Sequence, residues 1–137
     1  MKLKQTRFVT RDVERLADFY ETITGAGKSV GTPGYVEFDK PCEGLAIAGP
    51  AVQETYGSAV ISPAANRSAI LDFEVADVDK EFVRLKTIVT DWVMEPTDQA
   101  WGNRAMLFRD PDGNLINFFM PLRKSGDNRR AEHQQDI

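Results

Sequence analysis

Apolar positions along the chain fall into two rhythms that alternate and then repeat. Around "DVERLADFYETITG", Val13, Leu16, Ala17 and Tyr20 recur at helical spacing. Asp12 stands where it can cap the first turn and Gly25 where it can close the last, so a helix is predicted over 12–24. The same logic applied to Val78, Phe82 and Leu85 after Asp77 predicts a second helix over about 77–87. Each helix is preceded by a short strand-like run. After the first come "GKSVG", "GYVEF" and "GLAIAG"; after the second come "TDWVMEP", "NRAMLFRD" and "NLINFFMP", the last two joined by Pro-Asp-Gly.

A shift of 65 residues superimposes the two halves, matching Phe8 to Phe73, Asp12 to Asp77, Val13 to Val78, Thr22 to Thr87 and Ile23 to Ile88. Each half therefore reads β-α-β-β-β. The expected organisation is an α+β fold of two tandem βαβββ modules in one domain over 1–121, with module one at 3–49, a linker at 50–67 and module two at 68–121. The linker has no sustained period and reads as a long connection. Residues 122–137 form a polar tail.

Strand alternation then sorts side chains by face. Residues in phase with Gln5, Ile70 and Asn117 are Arg7 and Val9, Asp72 and Glu74, and Leu115 and Phe119; these are expected on a concave face. Phe8, Leu71, Phe73, Val75, Ile116 and Phe118 occupy the other phase and are expected beneath the helices. A one-residue slip would bury Asp72 and Glu74, so the register is well specified.

Composition narrows the function. At 42% hydrophobic and 28% charged, the 137-residue chain has enough apolar side chain for a core, and a net charge of -4 disfavours nucleic acid and anionic lipid. No apolar run approaches the roughly 20 residues of a membrane span, and "MKLKQTRFVTRD" lacks a signal-peptide core, so a cytoplasmic protein is expected. The single Cys42 agrees with a reducing compartment and, with no histidine near it in sequence, reads as a plain loop residue. The only histidine is His133, in the tail.

The duplicated module, "RDVERLADFYETITG", "FEVADVDKEF" and above all "DQAWGNRAMLFRDPDGNLINFF" resemble the vicinal oxygen chelate superfamily, over roughly residues 3–121. That superfamily includes glyoxalase I, extradiol dioxygenases, fosfomycin-resistance enzymes and bleomycin-resistance binding proteins. The resemblance implies a half-barrel whose enzymes hold a divalent metal with a histidine on the first strand of each module and an acid on the last strand of one or both. Those positions fall on Gln5, Ile70, Asn117 and either Ala46 or Ile47. Amides are weak ligands beside imidazole and carboxylate, so neither a metal nor another cofactor is expected.

The reading that follows is a metal-independent small-molecule-binding protein, with the ligand held in a concave cup by Gln5, Arg7, Asp72, Glu74, Trp101, Asn117 and Phe119. Trp101 would supply an aromatic wall, whereas Trp92 fits core or interface packing better. Arg7 and Asp72, equivalent by the same shift, would form an ion pair if the first strands lie side by side; Tyr35 and Glu37 share a phase that suits a rim. The resemblance also implies a homodimer. The alternative is a lyase, isomerase or dioxygenase-like enzyme with a rearranged carboxylate site, Asp72 or Glu74 acting as base or joining Glu37 around a metal. A third reading makes the cup vestigial and gives the contacts to the 50–67 loop.

Overall fold

A computed structural model describes residues 1–122. Its elements run β1 (Thr6–Val9), α1 (Val13–Thr24), β2 (Lys28–Thr32), β3 (Tyr35–Phe38), β4 (Leu45–Ala48), α2 (Ala51–Tyr56), β5 (Ile70–Glu74), α3 (Val78–Leu85), β6 (Trp92–Asp98), β7 (Asn103–Arg109) and β8 (Leu115–Pro121). The expected βαβββ order therefore appears twice. Both sheets are mixed and four-stranded, ordered β1-β4-β3-β2 and β5-β8-β7-β6, with the first strand of each module parallel to the last.

The helices start and stop as the sequence dictates. The Asp12 carboxylate accepts from the Arg15 amide at 3.1 Å, and the Asp77 carboxylate from the Lys80 amide at 3.0 Å. Gly25 ends α1 at φ 75°, a left-handed conformation that glycine adopts without a Cβ clash.

The described residues divide into two compact units, 1–67 with 111–113, and 68–110 with 114–122. In the first, Leu16, Ala17, Tyr20 and Ile23 of α1 are buried, as are Phe8, Val36, Phe38 and Ile47 of the sheet. In the second, Val78 and Leu85 of α3 are buried, with Met106, Phe108, Ile116 and Phe118 on the sheet. Each large apolar side chain fully removed from water contributes on the order of 1.5–3 kcal/mol, so these two layers dominate each unit's stability. An aromatic chain extends the second layer: Phe73 to Phe118 at 5.6 Å, Phe118 to Phe108 at 5.2 Å, Phe108 to Trp92 at 5.3 Å and Trp92 to Phe82 at 5.0 Å between ring centroids. Trp92 is thus a packing residue.

The two strand phases separate as alternation predicts. Phe8, Ile116 and Phe118 are buried and Leu71, Phe73 and Val75 half-buried, while Arg7, Ile70, Asp72 and Glu74 are exposed. Within the long connection between the modules, Ala51–Tyr56 form a short helix, α2, following Pro50. Six residues are too few to establish a 3.6-residue period, which is why the pattern did not reveal it. Beyond it, the Arg67 guanidinium donates to the Ala64, Asn66 and Asp112 carbonyls at 3.2, 2.7 and 3.2 Å, so the end of the linker grips the Pro111–Gly113 turn.

Among the described residues no helix is long and apolar enough to cross a membrane. All but the first residue of the tail, including His133, lies outside the described residues.

Candidate functional site

In module one the sheet register places Arg7 of β1 and Glu37 of β3 on either side of Ala46 of β4, and Val9 and Tyr35 on either side of Ala48. Two alanines on the middle strand leave that face low enough to cross. The Gln5 amide donates to the Tyr35 hydroxyl at 2.7 Å, and the hydroxyl in turn donates to the Glu37 carboxylate at 2.7 Å. The Tyr35 pKa is raised, chiefly because its proton is held by Glu37, and further by desolvation; Gln5 and the nearby Arg7 charge act in the opposite direction. A larger side chain at Ala46 would obstruct this Gln5–Tyr35–Glu37 chain.

Beside it lies a cavity of about 310 Å³, walled by the sheet (Arg7, Tyr35, Ala48), the β2–β3 turn (Thr32, Pro33, Gly34) and α2 (Ala51, Val52, Thr55, Tyr56). Its volume sits at the low end of the range typical of ligand sites, roughly 300–1,000 Å³. The Arg7 guanidinium carbon stands 5.8 Å from the Tyr56 ring centroid, a cation–π contact that ties β1 to α2. The sequence pointed to Arg7 and Tyr35 but not to the α2 wall, because a six-residue helix is too short to show a period.

In module two, Asp72 of β5 and Asn117 of β8 are register partners, and the Asn117 amide nitrogen donates to the Asp72 carboxylate at 2.9 Å. The Asn117 carbonyl oxygen is buried and has no hydrogen-bond partner among the described residues, an acceptor left over on this face. Glu74 and Ile70 are exposed and Phe119 is half-buried. Trp101 stands in the turn between β6 and β7 with 71% of its surface exposed. Of the residues singled out from sequence, Gln5 and Arg7 belong to the first unit, with Tyr35 and Tyr56 as their partners. Asp72, Glu74, Asn117, Phe119 and Trp101 belong to the second.

A family model described as the glyoxalase/bleomycin resistance protein/dioxygenase superfamily matches residues 2–118. The chain belongs to this superfamily. The uncharacterized protein YraH of Bacillus subtilis is 29% identical over 131 residues, covering 89% of this chain and all of YraH. A solved protein of unknown function from Agrobacterium tumefaciens is 31% identical with a TM-score of 0.75, over 89% of this chain and 95% of that one. A glyoxalase/bleomycin resistance protein/dioxygenase family enzyme from Burkholderia phytofirmans superimposes with a TM-score of 0.79 at 18% identity, over 89% of this chain and all of that one. At that identity the likeness concerns the fold.

Members of the glyoxalase/bleomycin resistance/dioxygenase superfamily that hold a metal need imidazole and carboxylate donors, and the residues here do not fit one. Because Arg7 pairs with Ala46 as Asp72 pairs with Asn117, the first-module counterpart of Asn117 is Ala46, not Ile47. The donor set at the four positions is therefore Gln5, Ala46, Ile70 and Asn117: two neutral amides, one of them bonded to Tyr35, and two hydrocarbons. Among the described residues no three His, Cys, Asp or Glu side chains gather in a group able to hold a metal ion.

Proposed function

We propose that this superfamily member is a metal-independent small-molecule-binding protein of the cytoplasm. The observation that carries the reading is the module-one cavity, open to a ligand and built from a guanidinium, two tyrosines and small apolar side chains. Gln5 and Arg7 serve it from β1. Asp72, Glu74, Asn117 and Phe119 offer a second polar and aromatic face in module two, and the exposed Trp101 a stacking surface. The superfamily's pairing habit makes a homodimer the working assembly, and exposed Ile70 and Val93 are consistent with surface to be covered.

The enzyme alternative gains little support. Asp72 and Glu74 are exposed, and a carboxylate becomes a strong general base through desolvation. Glu37, the third acid of the rearranged set, already accepts the Tyr35 hydroxyl.

The test is an NMR amide-shift screen of small molecules against protein dialysed with a chelator, alongside elemental analysis of the untreated protein. Binding that survives chelation and maps to residues 5–7, 32–35 and 51–56 supports the reading. Stoichiometric divalent metal, with binding lost on chelation, overturns it.

A further inference from the structure

The donors and acceptors around the module-one cavity are unevenly spent, and the imbalance identifies a ligand class. The Tyr35 hydroxyl gives its proton to Glu37, and the Thr55 hydroxyl gives its own to the Ala51 carbonyl at 3.0 Å. Neither can donate to a ligand without breaking a bond already made. Arg7 is different. Among the described residues its guanidinium makes no hydrogen bond or ion pair, and it stands over the face of Tyr56. A cation–π contact with a ring face makes no use of the N–H donors of a guanidinium. Among the described residues the Thr32 hydroxyl is likewise without a partner, and none of those that line the cavity is Asp or Glu.

We propose that this cavity takes a small organic monoanion, a carboxylate carrying a flat apolar body, with Arg7 as the residue that selects it. The proposal rests on the binding function above and names its ligand class. One full positive charge and no acid in the lining favour a single negative charge. A doubly charged phosphate would ask for a second cation that the lining lacks. The planar fork of N–H donors matches the two coplanar oxygens of a carboxylate, and Thr32 adds a neutral donor. Behind the charge, Pro33, Ala48 and Val52, with the two tyrosine rings, offer an apolar bed suited to a flat hydrocarbon.

Benzoate, benzamide and benzylamine share one ring and differ in charge, so titrating each into the full chain and following amide shifts separates the anion claim from the cup claim. Benzoate is expected to saturate with shifts at residue 7 and within 32–35 and 51–56, and to bind at least about tenfold more tightly than benzamide. Arg7→Gln, checked for an unchanged dispersed spectrum, is expected to abolish the preference for benzoate over benzamide; Arg7→Lys keeps the charge, loses the fork and should fall between. If benzamide or benzylamine matches benzoate at these residues, or Arg7→Gln leaves benzoate within about twofold, the anion assignment is overturned while the cup still stands as a binding site. If none of the three moves these residues at millimolar concentration, the anion assignment is overturned as well, and the chelation-resistant screen alone then decides whether the cup binds anything.

Discussion

Asn117 donates its side-chain amide to the Asp72 carboxylate at 2.9 Å, between register partners on adjacent parallel strands. Asn117→Asp replaces that bond with two facing carboxylates. At neutral pH the variant should be less stable than the wild type by about 1 kcal/mol, and the difference should shrink as pH falls toward 4, where one carboxyl takes a proton. Added salt should shrink it as well, because Asp72 is exposed. Urea denaturation at pH 7 and pH 4 measures this; a pH-independent difference would mean that the two groups do not meet.

Cys42 is 2% exposed, and burial pushes its thiol up from 9.0 to about 11, with a hydrogen bond to Thr24 acting the other way. The native protein should therefore react with a disulfide reagent at pH 8 far more slowly than the denatured chain. Because the folded value lies above the unfolded one, the contribution to stability is complete below pH 9 and declines as pH rises toward 11. Cys42→Ala should flatten that alkaline slope. Fast labelling of the folded protein would contradict the burial.

Arg104 donates two bonds to Asp79, both at 2.9 Å, and one to Asp98 at 2.8 Å, joining the start of α3 to β6 and β7. The Arg104 hydrogen bonds hold the Asp79 carboxyl below its usual 3.8, against a smaller opposing effect of desolvation. For a lowered carboxyl the stabilisation is present above the unfolded value and lost as pH falls through the folded one, so its window is acid, below about pH 4. Carboxyl NMR should find Asp79 titrating low in the wild type and near its ordinary value in Arg104→Gln. The stability change itself should be small, because Asp79 is 56% exposed.

Gly113 has φ 86°, and a Cβ there would lie 3.1 Å from a guanidinium nitrogen of Arg67. Gly113→Ala should destabilise by roughly 1–2 kcal/mol through left-handed backbone strain together with crowding. In Gly113→Ala with Arg67→Ala the crowding component should disappear, and a double-mutant cycle in urea isolates it. Strictly additive losses would show that Arg67 does not press on this turn.

The fold was largely legible because its determinants are local or periodic. Asp12 and Asp77 cap the helices they precede, and Phe8, Ile116 and Phe118 are buried while Arg7 and Asp72 are exposed, since a pleated strand sends alternate residues to opposite faces. The site was legible only in outline. Nothing in the order of residues says that Gln5 meets Tyr35 across β4, because that depends on two alanines being brought between them. Tyr56 became a partner of Arg7 through a helix too short to leave a period.

The sequence by itself determined the duplicated βαβββ plan, the face each strand residue takes, and the lack of imidazole and carboxylate at the superfamily's metal positions. The first two follow from spacing and side-chain chemistry, the third from the resemblance to the superfamily. The tertiary structure decided that Ala46 is the counterpart of Asn117, that α2 walls a cavity, and which donors around Arg7 are already spent. Register and hydrogen bonds between distant strands arise only when the chain closes on itself, so no local rule encodes them.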